Sequence, residues 1–285
     1  MLDRYYSPSA GDLLYHYCSA ETFLSICTGK RLRFSDINSM NDSQEIKWGY
    51  SIWEDAATEL HKITGVEFLD AVDEVLSQSG LRALGLASCF SKSGDVLSQW
   101  RAYADDGHGF AIGFDAEAIS SMAAAPLEVL YNKEQQLREV KEVVLAIYEI
   151  EKSKGHSRDH DFLNDCFRLY FDLASLKNPA FFEESEVRLL HVLNVEPSNE
   201  SFKLTSAGGI AFGEEAAATP ISFLMRKNSP VPYVDMSFTS KKYGTAIKEV
   251  VLGPKNDSLM VGVSIFLETV GLPLVNVRKS AASYR

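Results

Sequence analysis

Positive charge is scarce in this 285-residue chain. Its 28 lysines and arginines face 39 aspartates and glutamates, a formal net charge of −11. Such a surface repels polyanions, so nucleic acid is a disfavoured partner, although a single basic groove stays compatible with it. Long apolar runs are missing too. No stretch approaches the roughly 20 apolar residues of a membrane helix, and no membrane partner is expected. The opening "MLDRYYSPSAGDLLYHY" lacks a basic start followed by an apolar stretch, so no secretory leader is expected. The four cysteines, Cys18, Cys27, Cys89 and Cys166, are scattered without paired metal spacing and read as reduced thiols of a cytoplasmic protein. No HExxH, CxxC pair or GxSxG occurs, and no glycine fingerprint follows the first apolar run. Hydrolases of those kinds, Rossmann sites and P-loops are therefore unsupported. His156 and His160 are four apart beside Asp159 and Asp161, a spacing that suits a metal on a helix. Their context, "KSKGHSRDH", reads instead as a solvated loop between helices, and no metal is expected.

What is present is an ordinary globular composition, 46% hydrophobic and 24% charged, with neither glycine nor proline in excess. The length fits one large domain or a domain with an insertion. "DLLYHYCSAETFLSICTGKRLRFSD" reads as strand, helix, strand, with Ser19 as the helix cap and Gly29 as its stop. Residues 46–77 are amphipathic and helical with a break at Gly65. "LRALGLASCFS" and "GFAIGF" are buried strands around a short helix, and Leu127 to Asn132 suggests another strand. Lys133 to Lys154 and His160 to Leu176 read as helices. A strand begins near Glu186, and "IKEVVLGP", a helix from Ser258 to Gly271 and "PLVNVRKS" close the chain. The fold class expected is α+β: a mixed, mostly antiparallel central sheet with packed helices. Residues 1–285 are taken as one domain, with a helical insertion at about 133–177 and an irregular insertion, loop or hairpin, at about 196–235.

Five stretches carry candidate chemistry. In "YHY", His16 faces opposite Tyr15 and Tyr17 if extended; it either hydrogen-bonds a ligand hydroxyl or is satisfied by the backbone. In "NDSQE", Asn41, Asp42 and Glu45 either rim a site or cap the next helix. "SCFS" places Ser91 at a strand end, where hydroxyls face clefts or cap helices. Cys89 has no evident base for nucleophilic work. "QWRAYADDGHG" offers Trp100 and Tyr103 to a flat ligand or to the core, ahead of a turn, and Gly113 beyond it admits a close approach by a ligand or a neighbouring backbone. In "EESEVRLL", Glu186 and Arg188 share one strand face and can pair, at a solvated edge or in a functional cleft.

In order, "YHYCSAETFLSICTGKRLRFSDINSMNDSQE", "SCFSKSGDVLSQWRAYADDGHGFAIGFD", "FFEESEVRLL", "IKEVVLGPKN" and "VRKSAASYR" resemble the domain-of-unknown-function 2971 family of bacterial proteins over nearly the whole chain. Ser43 stands where that family usually has proline. A weaker likeness, an aromatic-His strand, a helix with "LSICTGKRLRFS" and a late strand glutamate, is similar to ADP-ribosyltransferase folds. That likeness implies NAD as substrate. His16 would then hold a ribose hydroxyl, Ser91 or Tyr103 would line the nicotinamide pocket, and Trp100 and Tyr103 would stack on a flat ring. Glu186 would orient the ribose and stabilise an oxocarbenium-like cation. It further implies a toxin or phage-defence effector. The alternatives are a non-catalytic module that binds a nucleotide or a protein through Tyr17, Asn41, Asp42, Glu45, Ser91, Trp100, Tyr103 and Arg188, or purely structural roles for these residues. Nothing in the residues speaks to oligomeric state.

Overall fold

Alternation builds the first strand. β1 (Leu13–Cys18) sends Leu14 and Cys18 into one core, while Tyr17 packs on the opposite face with Tyr15 beside it. Ser19 caps α1 (Ala20–Gly29), accepting the Thr22 N–H. The left-handed residue that ends α1 is Lys30, φ 51°, and not Gly29; its N–H closes on Ile26 O. The computed structural model describes residues 4–39, 44–79, 82–199, 201–282 and 284.

After β2 (Arg31–Asp36) come α2 (Gln44–Thr64) and α3 (Val66–Ser77), broken at Gly65, where φ is +82°. β3 (Ala83–Ser91), α4 (Leu97–Tyr103), β4 (Phe110–Asp115), α5 (Ala116–Ser120) and β5 (Ala125–Glu128) follow. The strand expected from Leu127 thus begins earlier and ends at Glu128, because Asn132 is spent as the cap of the next helix, α6 (Lys133–Ser153). Then come α7 (His160–Leu173) and β6 (Glu186–Pro197).

The stretch at 196–235 is largely hairpins. β6 runs into β7 (Phe202–Thr205), β8 (Gly209–Ala211) pairs with β9 (Glu214–Ala216), and β10 (Ser222–Arg226) pairs with β11 (Ser229–Ser237). β11 also joins the central sheet beside β2. Pro230 and Pro232 obscure it in sequence; they sit where β11 pairs only with β10, so their missing N–H groups cost no bond to β2. The chain closes with β12 (Thr239–Ser240), β13 (Gly244–Thr245), β14 (Ile247–Leu252), α8 (Met260–Thr269) and β15 (Asn276–Lys279).

The main sheet runs β10-β11-β2-β3-β1-β4-β14-β15, with β6 also on β3 and β5 and β7 on β6. Its named pairs are antiparallel except β14 with β15. The α+β expectation holds. One face buries Phe34, Phe90, Phe110 and Phe114 beneath α1 and α8. Beyond the other face, α2, α3, α6 and α7 pack together around Ile52, Trp53, Val144 and Leu169. Phe171 and Ala174 at the end of α7 reach the sheet at Ala87 and Leu190. Among the described residues, no helix is long and apolar enough to cross a membrane.

Candidate functional site

β1 and β2 both approach the same edge of β3, at different points along it. β2 pairs at Leu86 and Ala87, and β1 pairs at Ser91. Between those points the sheet forks. His16 reaches into the fork: its Nδ1 lies 2.9 Å from Cys89 O. A carbonyl only accepts, so Nδ1 carries the proton, and in the neutral ring Nε2 is the acceptor. Burial pulls the imidazole below its usual range, which keeps it neutral. Its ring lies 5.6 Å from that of Phe90.

A pocket of about 440 Å³ fills the fork. His16, Tyr17, Ser91, Tyr103, Glu186 and Arg188 all line it, so candidates from four separate elements converge. Tyr17 is fixed rather than presented: its hydroxyl donates to Ser93 O and accepts the Val96 N–H, each at 2.9 Å. Ser91 Oγ accepts the Ser93 N–H at 3.2 Å. Tyr103 is more open and donates to Glu184 Oε1 at 3.2 Å.

Trp100 does not line the pocket. It is fully buried, edge-on to Tyr17 at 4.8 Å, and its Nε1 donates to Asp95 at 2.7 Å. Gly113 does allow a close approach, but of a side chain: a Cβ there would stand 2.9 Å from the Tyr15 ring. Asn41 and Asp42 lie outside the described residues. Glu45 belongs to α2, and its side chain also lies outside them.

The floor is a buried ion cluster. Arg188 Nε meets Glu186 Oε1 at 2.7 Å, and Lys177 Nζ meets Glu186 Oε2 at 3.0 Å. Lys177 also pairs with Glu184. Ser185, left-handed at φ 42°, turns the chain between the two glutamates so that both reach Lys177. Their environments differ. Burial pushes the Glu186 carboxyl up, but Arg188 and Lys177 overcome it and hold the group well below the usual carboxylate range. Burial raises Glu184, and its share of Lys177 does not cancel the rise. The two neighbouring carboxyls are thus shifted in opposite directions, the pattern that lets one act as an acid or base beside an ionised partner. The Cys89 thiol hydrogen-bonds Glu186 as well.

Sequence reasoning missed Lys177, Glu184 and the buried Gln99, which also line the pocket. Lys177 follows a helix end, a place where lysine is commonplace. Among the described residues, no group of three or more His, Cys, Asp or Glu is arranged to hold a metal.

Residues 99–189 match the model of a family described as protein of unknown function, DUF2971. No curated protein matches the chain, and no solved structure matches it. The DUF2971 span supplies Gln99, Tyr103, Lys177, Glu184, Glu186 and Arg188 to the pocket; β1 and β3 supply His16 and Ser91 from outside it.

Proposed function

We propose that the fork pocket is an NAD-consuming site of ADP-ribosyltransferase type. The observation that carries this reading is the ionised, buried Glu186 beside the higher-titrating Glu184, in a pocket that also holds a neutral His16. In the reaction, the bond between ribose C1′ and the nicotinamide nitrogen breaks, and its electron pair leaves with nicotinamide. The ribose becomes an oxocarbenium-like cation, which an acceptor or water then attacks. Glu186 faces that cation and orients the ribose. His16 Nε2 accepts a hydrogen bond from a ribose hydroxyl, and Tyr103 offers its ring to nicotinamide. Glu184 takes the proton released by the attacking hydroxyl. On the strength of the resemblance alone, such an enzyme would serve as a cytoplasmic toxin or phage-defence effector.

A second reading is favoured by one observation: both Glu186 oxygens already have cationic partners. A carboxylate so engaged suits recognition, and the pocket would then be a non-catalytic nucleotide- or protein-binding module. The test is incubation of the purified protein with NAD and chromatography for free nicotinamide, with Glu186→Gln and Glu184→Gln in parallel. Release by the parent and loss in Glu186→Gln, with circular dichroism showing the variant still folded at the assay temperature, supports the enzyme. No release, with thermal stabilisation by nucleotides, supports the binding module.

A further inference from the structure

The fork pocket has a second side. On the face that carries α1, it is lined by Ser19 and Thr22 of the helix start and by Ser88 of β3. Ser88 is 2% exposed, and its Oγ has no hydrogen-bond partner among the described residues. A buried hydroxyl left this way is costly unless something fills the place. The β1–β3 register shows where it stands. Tyr15 pairs with Ser91, so continuing the antiparallel count sets Ser88 across the fork from Cys18, next to the Ser19 cap. At that cap the Thr22 N–H is taken by Ser19 Oγ and the Phe23 N–H by Ser19 O. The helix itself provides no partner for the Ala20 and Glu21 amides, and its dipole favours negative charge there.

We propose that this side of the fork is a phosphoryl subsite, in which Ser88 Oγ and the first-turn amides of α1 hold a phosphate of the nucleotide. The inference rests on the nucleotide reading above and adds a polarity to it: phosphate toward α1, reacting ribose toward Glu186. His16, between the two sides, keeps its acceptor for the ribose hydroxyl. The requirement is a phosphorylated ligand; a bare nucleoside leaves Ser88 unsatisfied.

Two variants of the full chain separate this from a folding defect. Ser88→Ala removes the orphan hydroxyl. Ala20→Pro removes one amide at the first helical position, where proline is tolerated and Ser19 is already extended at ψ 165°. Calorimetric titration would use ADP-ribose, adenosine, nicotinamide riboside and inorganic pyrophosphate. Each variant is expected to keep the parent melting temperature and to weaken ADP-ribose by about tenfold or more. Adenosine and nicotinamide riboside should change by less than about twofold, since neither carries the phosphate whose hydrogen bonds are lost. If both variants bind ADP-ribose as the parent does, the subsite is overturned while the nucleotide reading stands. If pyrophosphate binds the parent and not the variants, but no nucleotide binds, the subsite stands and the nucleotide reading falls. If none of the four ligands binds the parent, both are overturned.

Discussion

Arg188 holds Glu186 through two parallel bonds, Nε to Oε1 at 2.7 Å and a terminal nitrogen to Oε2 at 3.0 Å. The two residues lie one pleat apart on β6, so the pair is local, yet almost no solvent reaches it. The third guanidinium nitrogen donates to Ala174 O at 2.7 Å and ties the strand to the end of α7.

Breaking that pair from one side leaves a carboxylate buried with Lys177 as its remaining cation. Arg188→Met is expected to cost about 3–5 kcal/mol, the usual penalty for removing one partner of a buried ion pair. Urea unfolding measures it. A loss under about 1 kcal/mol would mean that water reaches the cluster and screens it.

Asp172 gives the molecule a pH dependence of a definite sign. Burial raises its carboxyl from 3.8 to about 6, despite the opposing Arg4 charge. Between those values the folded state binds more protons than the unfolded one, so stability falls as pH rises from about 4 to 6. Asp172→Asn should therefore gain about 1–3 kcal/mol at pH 7 and almost nothing at pH 4. Denaturant melts at the two pH values decide it; an equal effect at both would reject the titration. Glu186 acts in the opposite sense. Its lowered carboxyl contributes stability above its ordinary value of 4.5, and that contribution is lost as pH falls below it.

The two aromatic residues of α4 should separate cleanly. Trp100→Ala opens a cavity behind Tyr17 and is expected to cost about 3–5 kcal/mol. Tyr103→Phe removes one hydroxyl from a partly open ring and should change stability by less than about 1 kcal/mol while weakening pocket ligands. Thermal melts of both proteins, with a nucleotide titration of the second, provide the comparison. A stable Trp100→Ala protein would contradict the packing described.

Tyr15 lies between two glycines. A Cβ at Gly94 would stand 2.3 Å from its Cε1, and one at Gly113 2.9 Å. Gly94→Ala is expected to destabilise by about 1–3 kcal/mol through overpacking. Combining it with Tyr15→Ala should recover much of that loss, so the pair is non-additive. Strict additivity in a double-mutant cycle would show that the ring does not occupy this slot.

Local chemistry was legible in the sequence wherever neighbours along the chain decide it. Ser19 reads as a cap because its hydroxyl needs only the amide three residues on. Gly65 reads as a break because a positive φ belongs to that residue. The Glu186–Arg188 pair reads as possible because residues two apart on a strand share a face. The tertiary structure alone decided that this pair meets Lys177 and Glu184, that Trp100 turns away from the pocket, and that Pro230 and Pro232 sit within a strand. It alone made the fork, which depends on β1 and β2 meeting one edge of β3 at Ser91 and Ala87. Register between strands separated by dozens of residues is set by how whole faces bury against each other, and no short stretch of the chain encodes that.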